Sequence, residues 1–346
     1  MKRINSLRQT AFGMAFAACL ALAACAGCND EPNQPDNPSG SDTGRPAVQP
    51  AVNAPDFNAD TAYSYVAKQV GFGPRTPGSK SQLACAAWMR TELSTTTDTV
   101  YEQRITMRGG DGKSLPCINL IGAINPQATQ RVLLLAHWDS RPRADQDTAR
   151  QNEPIDAADD GGSGVAVLLE LARVLRAHPL PQSMGVDILL VDVEDYGRTE
   201  WGDSSYGLGT QYWATHPHVP GYKAQYGILL DMVGARGAVF PLEQTSKDYA
   251  GDVQRHIWDA AGRAGYSSFF LFKNGGGITD DHTFVNDLTG IPTVDIIHLR
   301  DDVPNSVFAP HWHTHNDNLS IIDRATLKAV GQTVLQVLFE TAAQGS

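Results

Sequence analysis

Residues 131–140 read RVLLLAHWDS and residues 156–178 read DAADDGGSGVAVLLELARVLRAH. The run RVLLLA (131–136) is leucine-rich and does not alternate, which suits a strand covered on both faces. It ends abruptly in His137-Trp138-Asp139. The second stretch places acids and glycines ahead of a helical pattern over 163–178. Strand, polar loop and helix in that order are the unit of an α/β fold.

The unit recurs on either side. VDILLVDV (186–193), YGILLDMV (226–233) and IPTVDIIHL (291–299) read as further buried strands. SQLACAAWMRTEL (81–93), SKDYAGDVQRHIWDAAGRAG (246–265) and RATLKAVGQTVLQVLFETAA (324–343) read as helices. The alternation predicts a single α/β domain, with a central, mostly parallel mixed sheet flanked by helices on both faces.

Polar residues gather where these strands end: His137, then Asp192 to Asp195, then Asp231, then His298. Open α/β sheets bind ligands outside the carboxyl ends of their strands. Acids following apolar runs are costly to bury alone, and a metal ion is their economical partner. The candidate ligands are His137, Asp160, Glu194, Asp195, Asp231 and one histidine of HWHTH (311–315). Of Asp159 and Asp160, one is expected only to cap the following helix. Glu194 and Asp195 adjoin, so one can bind metal while the other moves protons. Zinc suits a mixed oxygen and nitrogen set, and a catalytic zinc keeps three protein ligands and an open position.

The ordered set HWDS, DAADDGGSGVAVLLELARVL, VDVEDYG, LDMVGA, TDDHTFVNDLTGIPTV and HWHTHND resembles the zinc-dependent aminopeptidase clan. Within it, the set is most similar to the glutaminyl cyclases, from about residue 60 onward. The resemblance implies zinc ligands at Asp160, Asp195 and His313, with one zinc per chain. Asp195 departs from the pattern, since many members carry Glu there. Glu194 matches the general acid/base, Asp231 a residue holding the substrate's nitrogen groups, and Asp280 an acid hydrogen-bonded to the catalytic glutamate. Trp201, Phe308 and Trp312 match aromatic positions of the glutaminyl pocket. The substrates implied are peptides or proteins beginning with glutamine, converted to pyroglutamate with loss of ammonia. The alternative within the clan is a two-zinc aminopeptidase, with His137 and Asp231 on the second ion. A binding protein that has lost its chemistry is a third reading, disfavoured by the intact Glu194 and zinc positions.

Other classes fit poorly. A net charge of −11 and a pI near 5.3 argue against nucleic acid as partner. GGSGV lacks the glycine pattern of a serine nucleophile elbow, and NGGGITDD lacks the lysine of a phosphate-binding loop.

Residues 1–24 carry a basic start and a short apolar run, the form of a secretory signal. Leu22-Ala23-Ala24-Cys25 resembles a bacterial lipobox, implying a lipid-anchored exported protein, periplasm-facing or on the outer membrane. Residues 25–55 are rich in Pro, Asn, Asp, Ser and Gly and read as a flexible tether. The catalytic domain is expected over 56–346, acting as a monomer. Cys85 and Cys117 within it are open to a disulfide or to two buried thiols.

Overall fold

The computed structural model describes residues 52–302 and 307–344. The signal, the lipobox and most of the tether lie outside the described residues. Eight strands are described: β1 (Thr99–Arg108), β2 (Ser114–Ile124), β3 (Gln130–His137), β4 (Met184–Val191), β5 (Tyr226–Asp231), β6 (Phe240–Leu242), β7 (Phe270–Asn274) and β8 (Thr293–Ile297). The helices are α1 (Ala59–Val70), α2 (Lys80–Thr96), α3 (Gly162–Ala177), α4 (Leu208–Thr215), α5 (Gln244–Arg263), α6 (Asp281–Thr289) and α7 (Arg324–Gln344).

Six strands form one mixed sheet in the order β1-β2-β4-β3-β5-β8. The four centred on β3 run parallel, while β2 pairs antiparallel with both β1 and β4. The α/β expectation, with its mostly parallel mixed sheet, is borne out. The hairpin β1–β2 and the small parallel pair β6–β7 were not anticipated from the sequence.

Side chains alternate across a strand, and the parallel strands use both faces. Val132, Leu134 and Ala136 of β3 pack with α1, α2, α3, α5 and α7, while Leu133 and Leu135 pack with Trp213 of α4 and Val285 of α6. Burial on both faces explains the continuous apolar runs. Helix α3 lies against β5 so closely that a Cβ on Gly164 would sit 2.1 Å from the Leu230 carbonyl oxygen. Ordered contacts begin ahead of Phe57, where Val52 and Pro55 carbonyls accept from Gln336 and Gln332.

Register brings the polar strand ends level. His137 is opposite Val191, and Asp231 is opposite Ile297. Leu135 is opposite Leu229 two residues earlier, so His137 and Asp231 share one row. Among the described residues no helix is long and apolar enough to cross a membrane.

Candidate active site

Asp160, Asp195 and His313 present donor atoms that all lie within 4.8 Å of one another. All three residues are buried. His313 Nε2 is 3.3 Å from Asp195 Oδ1 and 3.7 Å from Asp160 Oδ2. Asp160 Oδ2 and Asp195 Oδ2 are buried without a hydrogen-bond donor, a costly state for a carboxylate unless a cation lies between them. The donor set, two carboxylates and one imidazole, suits zinc.

Three loops deliver these donor residues, and other aspartates hold the loops. Asp317 accepts from the backbone N–H of Asp159 and Asp160 at 2.7 and 3.1 Å. Asp139 does the same for Glu194 and Asp195, at 3.0 and 3.1 Å. Fully buried Arg75 donates to the carbonyls of Trp138, Asp156 and Ala157, bracing the segment before Asp159. Ala157, Val193, Met232 and His313 all have positive φ beside the site. Backbone strain of this kind collects at functional sites. Gly161, at φ 93°, could carry no side chain, because its Cβ would sit 2.6 Å from the Asp139 carbonyl oxygen.

Each histidine of HWHTH faces its own aspartate. His311 Nε2 is 2.9 Å from Asp159 Oδ2, His313 Nδ1 is 3.4 Å from Asp145 Oδ1, and His315 Nδ1 is 2.8 Å from Asp147 Oδ2. Asp159 therefore does not cap α3 with its side chain, contrary to the capping expectation. Its other oxygen accepts from Gly234 N at 2.7 Å, tying α3's entry to the end of β5.

A cavity of about 250 Å³ opens onto this donor group. Glu194, Asp231, Asp280, Tyr206, Phe308 and Trp312 line it together with Asp160, Asp195 and His313. Trp312 stacks on Phe308 at 4.3 Å and on the His313 ring at 3.6 Å between centroids. Trp201 differs from expectation: it is not among the lining residues. Its indole stacks on Tyr196 and lies 5.7 and 5.2 Å from the guanidinium carbons of Arg143 and Arg198. The same segment instead supplies Thr199, Asp203 and Tyr206 to the cavity. Tyr206 carried no sequence signal, because only the turn before α4 aims it inward.

The electrostatics are those of crowded acids. Burial, then the Asp195 and Asp280 carboxylates, hold Glu194 well above the ordinary carboxylate range against the pull of His137. Burial likewise raises Asp280 and Asp231. Burial would raise Asp195 too, but Arg141 and His313 draw it down to about 2. A second group, His137, Asp160 and Asp231, also brings donor atoms within 4.8 Å. There His137 Nε2 lies 3.1 Å from Asp160 and 3.2 Å from Asp231. Asp280 caps α6 and is backed by buried His282 and Asp295. Cys85 and Cys117 are separate, buried free thiols.

Comparison with known proteins agrees with this geometry. Porphyromonas gingivalis glutaminyl cyclase is 47% identical, with a TM-score of 0.80 over 82% of this chain and 99% of that one. A structure described as a leucine aminopeptidase precursor from Bacteroides thetaiotaomicron is 43% identical, with a TM-score of 0.79 over 83% and 99%. The glutaminyl-peptide cyclotransferase of Gloydius blomhoffii is 29% identical over 250 residues, 63% of this chain. The chain spans 64% of that curated relative's length. The profile of peptidase family M28 matches residues 119–338. Because that match covers well over half of the sequence and runs through every acid and imidazole of the cavity, the chain belongs to peptidase family M28.

Proposed function

We propose that the protein is a glutaminyl-peptide cyclotransferase using one zinc ion. The observation that carries this reading is Asp280, a buried carboxyl lining the same small cavity as Glu194 and Asp231. Three acids around a small, aromatic-walled space suit proton traffic on a bound side chain better than activation of bulk water. The similarity to glutaminyl cyclases supports it.

In the reaction, the α-amine of an N-terminal glutamine attacks its own γ-carboxamide carbon. A C–N bond closes a five-membered ring, the carboxamide C–N bond breaks, and ammonia leaves. Amine and carbonyl are already tethered, so the cavity's task is to fold the side chain back. Asp160, Asp195 and His313 would hold the zinc, whose contribution when bound is polarisation of the γ-carbonyl oxygen. Glu194 takes a proton from the amine and returns it to the departing nitrogen. Asp231 accepts a hydrogen bond from the substrate's nitrogen. Asp280 acts on Glu194 through its charge, since the hydrogen bond implied by the resemblance is not formed: Asp280 Oδ1 accepts from Asp281 N and Oδ2 is without a hydrogen-bond partner. Phe308, Trp312 and Tyr206 exclude water, which would divert the reaction to hydrolysis. A groove of about 1010 Å³ shares Phe308 and Trp312 with the cavity and offers room for the chain after glutamine, which supports peptides or proteins as substrates.

The test is mass spectrometry of a glutamine-initiated peptide after incubation with the protein. Loss of one ammonia from an intact chain is expected; release of the first residue would sink the cyclase reading. The His137, Asp160 and Asp231 group favours the second reading, a two-zinc aminopeptidase. Metal counting separates the two, with two ions per active chain supporting the aminopeptidase.

The lipobox at Cys25 supports an exported, lipid-anchored protein, and the tether supports a monomer. An acyl chain on Cys25 and a monomeric mass in detergent are the expected results; an unmodified Cys25 or a dimer would overturn the respective proposal.

A further inference from the structure

Asp195 is one methylene shorter than glutamate, and the structure shows what grips it. Arg141 Nη1 donates to Asp195 Oδ1 at 2.6 Å and to the Asp195 carbonyl at 3.0 Å. One guanidinium thus fixes both main chain and side chain, and leaves Oδ2 as the unpartnered oxygen. A cation beside a metal ligand weakens that ligand's hold unless its charge is balanced. Asp145 balances it, with a two-pronged pair from Arg141 Nε and Nη2 at 2.7 and 2.6 Å.

The same Asp145 faces the other side of the site. Its Oδ1 lies 3.4 Å from His313 Nδ1, an ion-pair approach rather than an aligned hydrogen bond. A carboxylate there favours the proton on Nδ1, which leaves Nε2 free toward Asp160 and Asp195. His313 Nε2 returns to Asp195 at 3.3 Å and closes the circuit.

We propose that Arg141 and Asp145 are positioning residues for the metal: with Asp195 and His313 they form a closed ring that aims Asp195 Oδ2 and His313 Nε2 at one point. This rests on the zinc reading above. The loop carrying Asp145 also touches the HWHTH segment at two other places. Gln146 N donates to the His313 carbonyl at 3.3 Å, and Asp147 accepts from His315 N at 3.0 Å. The Asp147 contacts hold the loop through His315, which is not one of the proposed ligands, so Asp147 separates anchoring from aiming.

The experiment is chelator competition on the full-length, zinc-loaded chain, comparing wild type, Asp145→Asn and Asp147→Asn. Circular dichroism of each metal-free form checks folding. Asp145→Asn should bind zinc about 10- to 100-fold more weakly, and Asp147→Asn should stay close to wild type. In the cobalt(II)-substituted protein, the visible absorption band should change in Asp145→Asn only. Equal zinc affinity in wild type and Asp145→Asn overturns the inference, as does an equal loss in Asp147→Asn. Wild-type chain that takes up no zinc instead overturns the zinc reading itself.

Discussion

Asp139 accepts hydrogen bonds from the backbone N–H of Glu194 at 3.0 Å and, with its second oxygen, from Asp195 at 3.1 Å. One buried side chain at the end of β3 therefore sets the position of both acids at the end of β4. In Asp139→Asn, one of those acceptors becomes a donor facing a donor. Turnover should fall about 100-fold, the scale of a small misplacement of reacting groups, while far-ultraviolet circular dichroism stays native. Steady-state ammonia release checks it; unchanged kcat would make the contact structural only.

Glu194→Gln keeps the shape of the side chain and would remove the proton transfer proposed for it. Zinc content should match wild type, and kcat should fall by about 10²–10⁴-fold. Metal analysis alongside turnover tests both halves. Normal turnover would move the acid/base role elsewhere, to Asp280 or Asp231.

Trp312→Ala opens the wall between the cavity and the groove. The expected sign is a higher KM together with a new product, peptide beginning with glutamate, formed by water entering the site. Mass spectrometry distinguishes the products, and a product that remains wholly cyclic would remove Trp312 from the water barrier.

Arg131 and Asp187 form a buried two-pronged ion pair at 2.6 and 2.7 Å, joined by the Tyr222 hydroxyl at 2.8 Å. Asp187→Asn leaves Arg131 without its counter-charge and should cost about 3–5 kcal/mol in denaturant unfolding. Burial would raise the Asp187 carboxyl, but His218 and Arg131 hold it below its ordinary value. The stability it contributes is thus present above the unfolded value of about 3.9 and disappears as pH falls through the folded one. Wild type and Asp187→Asn should converge in stability on acidification; a gap independent of pH would refute the linkage.

Burial raises the Cys85 thiol to about 12 and raises Cys117 as well. Neither should react with a thiol reagent in the native protein, and both should react after unfolding. Fast native labelling at either position would contradict their burial.

The parts of the fold legible in the sequence were those buried on both faces. Strands β3, β4, β5 and β8 are rich in apolar residues because helices cover each side, with Asp187 in β4 and Asp295 in β8 as buried exceptions. Strand β1 is partly exposed along its length, and β2 carries Pro116 and Asn119. Residues 117–124 of β2 are nevertheless buried throughout and apolar but for Asn119, so in that hairpin only β1 lacks a comparable run. Chemistry at strand ends was legible for the same reason, since His137, Asp192 and Asp231 follow apolar residues directly and Glu194 and Asp195 come next in the chain. The supporting aspartates were not legible. Asp317 and Asp159 are 158 residues apart, and their relation is a backbone contact that any acid at that place could make. The resemblance brought Trp201 to the pocket, whereas local turn geometry brings Tyr206 there.

The crowding of carboxyl groups at one sheet edge also couples the metal to the endurance of the whole molecule. Asp160, Glu194, Asp195, Asp231, Asp280 and Asp281 are packed together at the rim of a single core, and without a cation their mutual repulsion opposes folding. A cation that binds only the folded chain adds stability by mass action, about 2.7 kcal/mol at a hundred times its dissociation constant. Heat resistance therefore becomes a gauge of occupancy at the site, readable before any substrate is added.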